Sequence, residues 1–247
     1  MNGIVQSSVA ALRAAMNRQA MTANNLANAN TAGFRADVSA NQSTFLQAGG
    51  QVFGARVTGM MVDTNMAPGA VNQTGRELDV ALSGGALLSV QALNGDEAYT
   101  RRGDLMVTDS GLLTNGDGTP VLGEGGPITL PSYDSVRIDV DGKIWIVPAG
   151  GDADNPTMVD RLKLVDPTGS QIVKGLDGLF RVRNGGALPQ DPEARLTAGS
   201  LEQSNVNTTQ ALVDMIEASR AWDTQIKLVE SAKELDTSAA DLMRLPG

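Results

Sequence analysis

The spacing of apolar residues changes twice along this chain, and this change constrains the fold more than any other feature. Near the N-terminus, apolar residues recur at alternating intervals of four and three, and only Gln19 interrupts the row. Its members are Val5, Val9, Leu12, Met16, Ala23 and Leu26. This spacing places one narrow apolar stripe along a helix. The sequence therefore predicts an N-terminal amphipathic helix within residues 1–35.

The C-terminal end carries a second helical pattern, which follows the stretch "GSLEQSNVNTTQ". Its apolar seam contains Leu212, Met215, Trp222, Ile226 and Val229. Charged residues occupy the opposite face, and Asn207 or Thr208 is a suitable N-cap. We therefore expect a C-terminal helix within residues 197–247 that packs with residues 1–35 as a coiled-coil-like unit.

Between these ends the period becomes two, as in strands with one buried face. Tight-turn dipeptides recur there, because Gly, Asn and Asp tolerate positive φ. They are Asn94-Gly95, Asn115-Gly116, Asp141-Gly142, Asp177-Gly178 and Asn184-Gly185. Residues 76–196 are thus predicted to form an all-β domain, and residues 36–75, which lack a clear period, an irregular connector with room for one hairpin. The predicted fold class is α+β.

Composition excludes several kinds of function. The 247 residues contain neither Cys nor His, which removes disulfides, thiolate nucleophiles, imidazole catalysis and the usual zinc sites. The net charge of -9 argues against nucleic acid as a partner. We expect no catalytic residues, metal or cofactor, and no insertion into a membrane, because no segment approaches the roughly 18 apolar residues of a span.

The N-terminal region has no continuous apolar segment of the kind found in secretory signal peptides. Before Asp37 its only charges are Arg13, Arg18 and Arg35. Such an acid-free amphipathic segment also fits an organellar transit peptide.

Two helices that pair within one chain leave part of their apolar surface uncovered. Identical or related neighbours are the natural way to cover it. The pattern therefore predicts assembly.

The stretch "MTANNLANANTAGFRAD" places four asparagines, Asn24, Asn25, Asn28 and Asn30, at the end of the first helix. Asparagine competes for backbone groups and weakens a helix interior. These amides therefore serve either contacts beyond the helix or a simple helix end, with Gly33 as the turn residue.

The core of this stretch, "ANNLANANTAGFRAD", resembles the N-terminal signature of bacterial flagellar rod and hook proteins, an ANN-L-AN core followed by a T/S-x-G-[FY] turn. The signature positions are Ala23, Asn24, Asn25, Leu26, Ala27, Asn28, Thr31, Gly33 and Phe34. The resemblance continues in "RELDVALSGGALLSVQ", in "AYTRRGDLMVTDSGLLTNGDGTPVLGEGGPITLP" and in the C-terminal helix. The chain length and the run "GEGGPI" favour a proximal-rod member, as does "GGALLSV" where distal-rod and hook relatives usually carry a "GDGFF"-like run.

This resemblance implies a structural subunit of the basal-body rod, which crosses the periplasm. The terminal helices would line a tube that transmits torque, with the β domain facing outward. The implied partners are other rod proteins, copies of this chain and, during assembly, the flagellar type III export apparatus. On this view the asparagine amides tie one subunit to the next. The expected assembly interface comprises Val5, Val9, Leu12, Met16, Asn24, Asn25, Leu26, Asn28, Gly33, Phe34, Leu212, Met215, Trp222, Ile226 and Val229.

Other interpretations have less support. "DVDGKI" resembles part of a calcium loop, but the remaining oxygen ligands and the terminal Glu are missing, so a hairpin turn is the better prediction. Glu77 with Asp79, or Asp139 with Asp141, supplies two carboxylates, but the chain, only 3% aromatic, offers no platform for stacking a sugar. The alternative function is a secreted β-rich binding module or adhesin that its terminal helices merely oligomerise.

Overall fold

The computed structural model describes residues 2–48 and 51–242. The chain divides into two compact units. The first contains residues up to Ala27, Asp37–Asp63 and residues from Asn207 onward, and we call it the helical unit. The second contains Asn28–Ala36 and Thr64–Val206, and we call it the β unit.

Within the described ranges, these units contain two helices and eighteen strands. The helices are α1 (Asn2–Ala27) and α2 (Thr208–Leu242). The strands are β1 (Asp37–Ala48), β2 (Gln51–Thr64), β3 (Val71–Gln73), β4 (Val80–Leu82), β5 (Leu87–Gln91), β6 (Glu97–Thr100), β7 (Leu105–Val107), β8 (Leu113–Asn115), β9 (Leu122–Gly123), β10 (Gly126–Pro127), β11 (Tyr133–Ile138), β12 (Lys143–Pro148), β13 (Thr157–Arg161), β14 (Leu164–Val165), β15 (Ile172–Lys174), β16 (Phe180–Val182), β17 (Leu196–Ala198) and β18 (Ser200–Glu202). The chain is thus α+β, with a helix on either side of a β-rich middle.

In the helical unit, α1 contacts α2 and also contacts β1. The start of α2 is capped by Asn207, whose Oδ1 accepts a hydrogen bond from the Gln210 backbone N–H at 3.1 Å. This cap satisfies one of the backbone donors that a helix start leaves free. Neither α1 nor the described part of α2 contains a stretch long and apolar enough to span a bilayer.

The predicted irregular connector is largely regular. Its two long strands, β1 and β2, pair with each other in a two-stranded sheet. Small and polar residues such as those of "DVSANQST" gave no period-two signal in the sequence. Backbone hydrogen bonds between strands do not require alternating apolar residues, so the sequence left room for a hairpin here without defining its strands.

The β unit contains a five-stranded sheet in the order β14-β5-β6-β16-β15 and a three-stranded sheet in the order β11-β12-β13. The last two strands, β17 and β18, pair with β4 and β3. Residues 197–206 therefore belong to the β unit. The sequence prediction had grouped them with the C-terminal helix. The main core consists of aliphatic side chains, among them Val80, Leu88, Leu113, Ile144 and Leu164.

Four of the five predicted turn dipeptides place their glycine in the left-handed region, at φ values of 77 to 85°. The exception is Asn115-Gly116. There the glycine with positive φ is Gly118, whose N–H donates to the carbonyl oxygen of Asn115 at 2.8 Å. Gly116 instead allows close approach, because a Cβ at this position would lie 2.0 Å from a carboxylate oxygen of Asp104.

Candidate assembly interface

The covered side chains of α1 and α2 follow helical spacing, and those that are buried rather than half-buried are small. On α2, Ala211 and Ala218 are buried and Met215, Trp222 and Ile226 are half-buried. On α1, Thr22 is buried, and half-buried side chains occupy Leu12, Ala15, Gln19 and Leu26. The covered stripe of α1 thus includes the polar Gln19 that interrupted the sequence pattern.

Several large apolar side chains of the helices remain outside these stripes. Met16 on α1 is 51% exposed, and on α2 Leu212 is 51% and Ile216 54% exposed. Val213 beside them is also exposed. Exposed apolar side chains that cluster on one helix face mark interaction surfaces more often than isolated ones do. Val5, Val9 and Val229 also lie on the helices, but their side chains fall outside the described part of the structure.

The asparagines Asn24 and Asn25 bond within their own chain. The Asn25 side chain donates from Nδ2 to the carbonyl oxygen of Asp37 and accepts at Oδ1 from the Asp37 N–H, both at 2.8 Å. Asn24 Nδ2 donates to the Asp37 carboxylate at 2.7 Å. An amide can make this reciprocal pair because it carries both a donor and an acceptor. These two residues therefore join the end of α1 to the start of β1 within one subunit.

The signature turn after α1 belongs to the β unit. The backbone N–H and the hydroxyl of Thr31 both donate to Asn28, at 3.1 and 3.2 Å, and the N–H of Phe34 donates to the Thr31 carbonyl oxygen at 3.3 Å. Gly33 donates its N–H to the carbonyl oxygen of Glu202 at 2.7 Å. Residues 28–34 of the signature thus form a compact turn that is hydrogen-bonded to the segment preceding α2.

Gly33 is required at this turn for two reasons. Its φ is +66°, where L side chains are disfavoured, and an added Cβ would lie 2.3 Å from the backbone oxygen of Arg101. We expect Gly33→Ala to destabilise the β unit by more than the roughly 1 kcal/mol typical of a left-handed position alone. Thermal unfolding would measure the difference.

The matched control for this prediction is Gly75→Ala. Gly75 has a φ of +76° but no atom within 4 Å of an added Cβ. It therefore reports the conformational cost without the clash. Equal losses in the two variants would contradict a role for close packing at Gly33.

A buried group of charges lies beside this turn, formed by Arg35, Arg101 and Glu202. All three side chains are at most 2% exposed. Arg35 Nη1 lies 2.7 Å from Glu202 Oε1, and Arg101 binds Glu202 Oε2 through Nε at 2.9 Å and through Nη2. Burial lowers the pKa of the Arg35 guanidinium from its ordinary value, and neighbouring Arg101 adds to this effect while Glu202 opposes it.

Arg101 has an acceptor for every N–H it carries. Its Nη1 donates to the backbone oxygens of Gly84 and Ala86, and its Nη2 donates to that of Leu82 as well as to Glu202. The guanidinium group of Arg35 has fewer hydrogen-bond acceptors. Its Nη1 also donates to the Ala67 oxygen at 2.6 Å, while its buried Nε has no hydrogen-bond partner among the residues that the structure describes.

Asn205 joins three segments of the β unit. Its Oδ1 accepts from the Ala36 N–H at 2.7 Å, and its Nδ2 donates to the carbonyl oxygens of Asn65 and Ala67, both at 2.8 Å. The side chain therefore uses both its acceptor and its donors. Asn205 lies three residues before the start of α2.

The Phe34 ring of the signature lies against the ammonium group of Lys174. The Lys174 Nζ lies 3.7 Å from the centre of the Phe34 ring and donates to the Arg35 carbonyl oxygen at 2.8 Å. This geometry is that of a cation–π contact. The half-buried ring thus helps to hold the signature turn against β15.

The carboxylate pairs noted in the sequence have other partners. Asp141 Oδ2 lies 2.8 Å from Lys143 Nζ, and this contact lowers the pKa of the Asp141 carboxyl. Asp139 and Asp141 lie in the tight turn between β11 and β12, as the hairpin prediction requires. Asp79 is buried and accepts a hydrogen bond from Thr74 at 2.7 Å. Among the described residues no group of Asp and Glu is arranged to hold a metal ion.

Sequence reasoning missed Arg101, Glu202 and Asn205. They occur in the stretches "AYTRRGD" and "GSLEQSN", which carried the family resemblance without an assigned role. A charged residue in a short polar stretch normally lies at the surface. Only the pairing of three distant segments places these side chains inside.

Comparison with protein-family profiles gives three matches. The profile described as "Flagella basal body rod protein" matches residues 6–35, "Flagellar hook protein FlgE/F/G D1 domain" matches residues 81–146, and "Flagellar basal body rod FlgEFG protein C-terminal" matches residues 197–242. The first and third contain most of the predicted interface residues.

Curated relatives match along nearly the whole chain. The flagellar basal-body rod protein FlgF of Salmonella typhimurium is 38% identical over 99% of this chain and 100% of its own length. FlgF of Caulobacter vibrioides is 32% identical over 90% of this chain and 89% of its own. The flagellar basal-body rod protein FlgG of Bacillus subtilis is 30% identical, over 90% and 91%. Of these three relatives, the two FlgF proteins have the higher identity. FlgF is the proximal-rod member that the "GEGGPI" run and the chain length predict.

Proposed function

The chain belongs to the flagellar basal-body rod protein family, and we propose that it polymerises with neighbouring subunits through the apolar faces of α1 and α2. The protein is a structural subunit of the basal-body rod and is not an enzyme. Its partners are other rod components. The alternative of a secreted binding module or adhesin has no support among the relatives.

The proposed assembly surface rests on one observation, which is that the helices leave large apolar side chains exposed. Met16, Leu212, Val213 and Ile216 are 45 to 54% exposed, whereas the buried positions of the covered stripes hold the small residues Thr22, Ala211 and Ala218. Burying such a side chain contributes about 1.5–3 kcal/mol when it is fully covered. Neighbouring subunits that cover these faces gain this free energy at each repeated contact.

The pairing of α1 with α2 is coiled-coil-like in this proposal. The covered residues of α2 follow intervals of four, three and four from Ala211 through Met215 and Ala218 to Trp222. This spacing is typical of a packed seam. It places Leu12, Leu26, Met215, Trp222 and Ile226 in the seam between the two helices, while Met16 and Leu212 are available to a second helix neighbour.

The finer assignments follow from the family resemblance. The subunit occupies the proximal rod, contacts copies of itself as well as other rod proteins, and contributes to a shaft that crosses the periplasm and transmits torque. The flagellar type III apparatus exports it. Similarity to FlgF supports the first of these assignments.

Basal-body composition tests the proposal. A strain that lacks this chain should be non-motile and without complete rods, and the full-length chain supplied in trans should restore both. The chain should then be present in purified basal bodies and absent from the soluble periplasm. Motile cells without the chain, or basal bodies that do not contain it, would contradict the proposed function.

A further inference from the structure

The chain passes between its two compact units four times, after Ala27, Ala36, Asp63 and Val206. On the β-unit side, these passages lead into three segments, 28–36, 64–70 and 202–206. Each of these segments hydrogen-bonds to another of the three. These three segments therefore contain the β-unit residues that lie next to every passage of the chain between the units.

Glu202 and Asn205 provide most of these bonds. Glu202 accepts from the Gly33 N–H through its backbone and from the Gly69 N–H through Oε1, at 2.7 and 2.8 Å. Asn205 bonds to both earlier segments as described above, and the Asn65 N–H donates to the Ala36 oxygen at 2.8 Å. We call residues 28–36, 64–70 and 202–206 together the junction.

Arg35 adds a second positive charge beside the single carboxylate of Glu202, which Arg101 already pairs with. Arg101 and Glu202 would form a neutral pair by themselves, and Arg101 is fully hydrogen-bonded. A second buried guanidinium adds a desolvation cost that one shared carboxylate offsets only in part, and no described residue accepts a hydrogen bond from its Nε. The core of the β unit therefore gains little from Arg35. What Arg35 does provide is a bond to each of the other two segments, to Ala67 and to Glu202.

We propose that Arg35 is a positioning residue that fastens the junction, so that segments 28–36 and 64–70 stay ordered on Glu202 independently of the stability of the β core. Buried charged groups retained at a cost in stability serve structural specificity in some proteins. The contacts of Arg35 with two different segments give it that role here.

Hydrogen exchange on the purified full-length protein tests the proposal with the variant Arg35→Met. Methionine keeps much of the aliphatic volume and leaves Arg101 paired with Glu202. We expect the junction amides of Gly33, Ala36, Asn65 and Gly69 to exchange on the order of tenfold faster than in the wild type, because local opening no longer breaks the Arg35 contacts. Core amides, such as those of Leu113, Val121 and Ile128, should keep their wild-type rates.

Two further variants separate positioning from packing. Arg35→Lys keeps the charge and should restore part of the junction protection, whereas a purely space-filling role would favour methionine. Arg18→Met, at an exposed position of α1, should leave both sets of amides unchanged. The proposal is overturned if junction exchange in Arg35→Met stays at the wild-type rate, if core and junction accelerate together, or if Arg35→Lys is no better protected than Arg35→Met. None of these readings depends on incorporation into rods.

Discussion

Glu202→Gln should be among the most destabilising single substitutions in the β unit. Among the described residues, Glu202 has the only carboxylate that pairs with the buried guanidinium groups of Arg35 and Arg101, and the change removes it. Breaking a buried ion pair by removing one partner typically costs about 3–5 kcal/mol, because the remaining charge is left uncompensated. For a protein of this size we expect the melting temperature to fall by roughly 10 °C.

Glu193→Gln is the matched control for this substitution. Its side chain is 88% exposed, and its nearest cation, Arg195, is 3.8 Å away. Exposed pairs contribute at most about 1 kcal/mol, so the melting temperature should hardly change. Similar melting curves for the two variants would show that the buried charges do not depend on Glu202.

Trp222→Asp should abolish incorporation into the rod and leave cells non-motile. Truncating a fully buried Trp costs about 3–5 kcal/mol, and Trp222, half-buried in the single chain, reaches this range only when neighbouring subunits cover the remainder. The aspartate adds the cost of an unpaired charge at that contact. The assay is the amount of the variant in purified basal bodies.

Two companion variants test the same surface. Leu26→Asp on α1 should behave like Trp222→Asp, while Lys227→Ala, at an exposed position of α2, should assemble normally. The β unit has its own core, so all three variants should retain its melting transition. Wild-type amounts of Trp222→Asp in rods would exclude this helix side as an assembly surface.

The parts of the fold that the sequence predicted are those governed by periodicity and local turn chemistry. Helical spacing identified α1 and α2, and Asn207 was recognised as a cap because its side chain acts within one helical turn. The tight turns at Gly95 and Gly142 follow from the same local rules. The phase of the stripe on α1 was less predictable. There Gln19 and Thr22 are covered while Met16 is exposed, because the contacts of the whole unit decide which side of the helix is covered.

Of the residues that fasten the signature turn, the sequence predicted only those of the N-terminal segment. Gly33 and Phe34 stood out because the signature turn is contiguous in sequence. Glu202 and Asn205 lie more than 160 residues away from Arg35 and Ala36, and nothing in their immediate neighbours marks them as buried. Pairing between such distant segments has no local periodic signal. The two strands of the β1–β2 hairpin could not be defined from the sequence for a related reason, since they lack alternating apolar residues.

The hydrogen bond between Asn205 and the Asn65 oxygen has a consequence for how this architecture can diversify. It brings together the two ends of segment 64–206, which interrupts the sequence between β2 and α2. A segment whose ends meet behaves as an inserted domain, and such a domain can be enlarged, shortened or exchanged without repositioning the chain on either side. Lineages can therefore remodel the parts of segment 64–206 that lie outside the junction, while the bond between Asn65 and Asn205 keeps its two ends together.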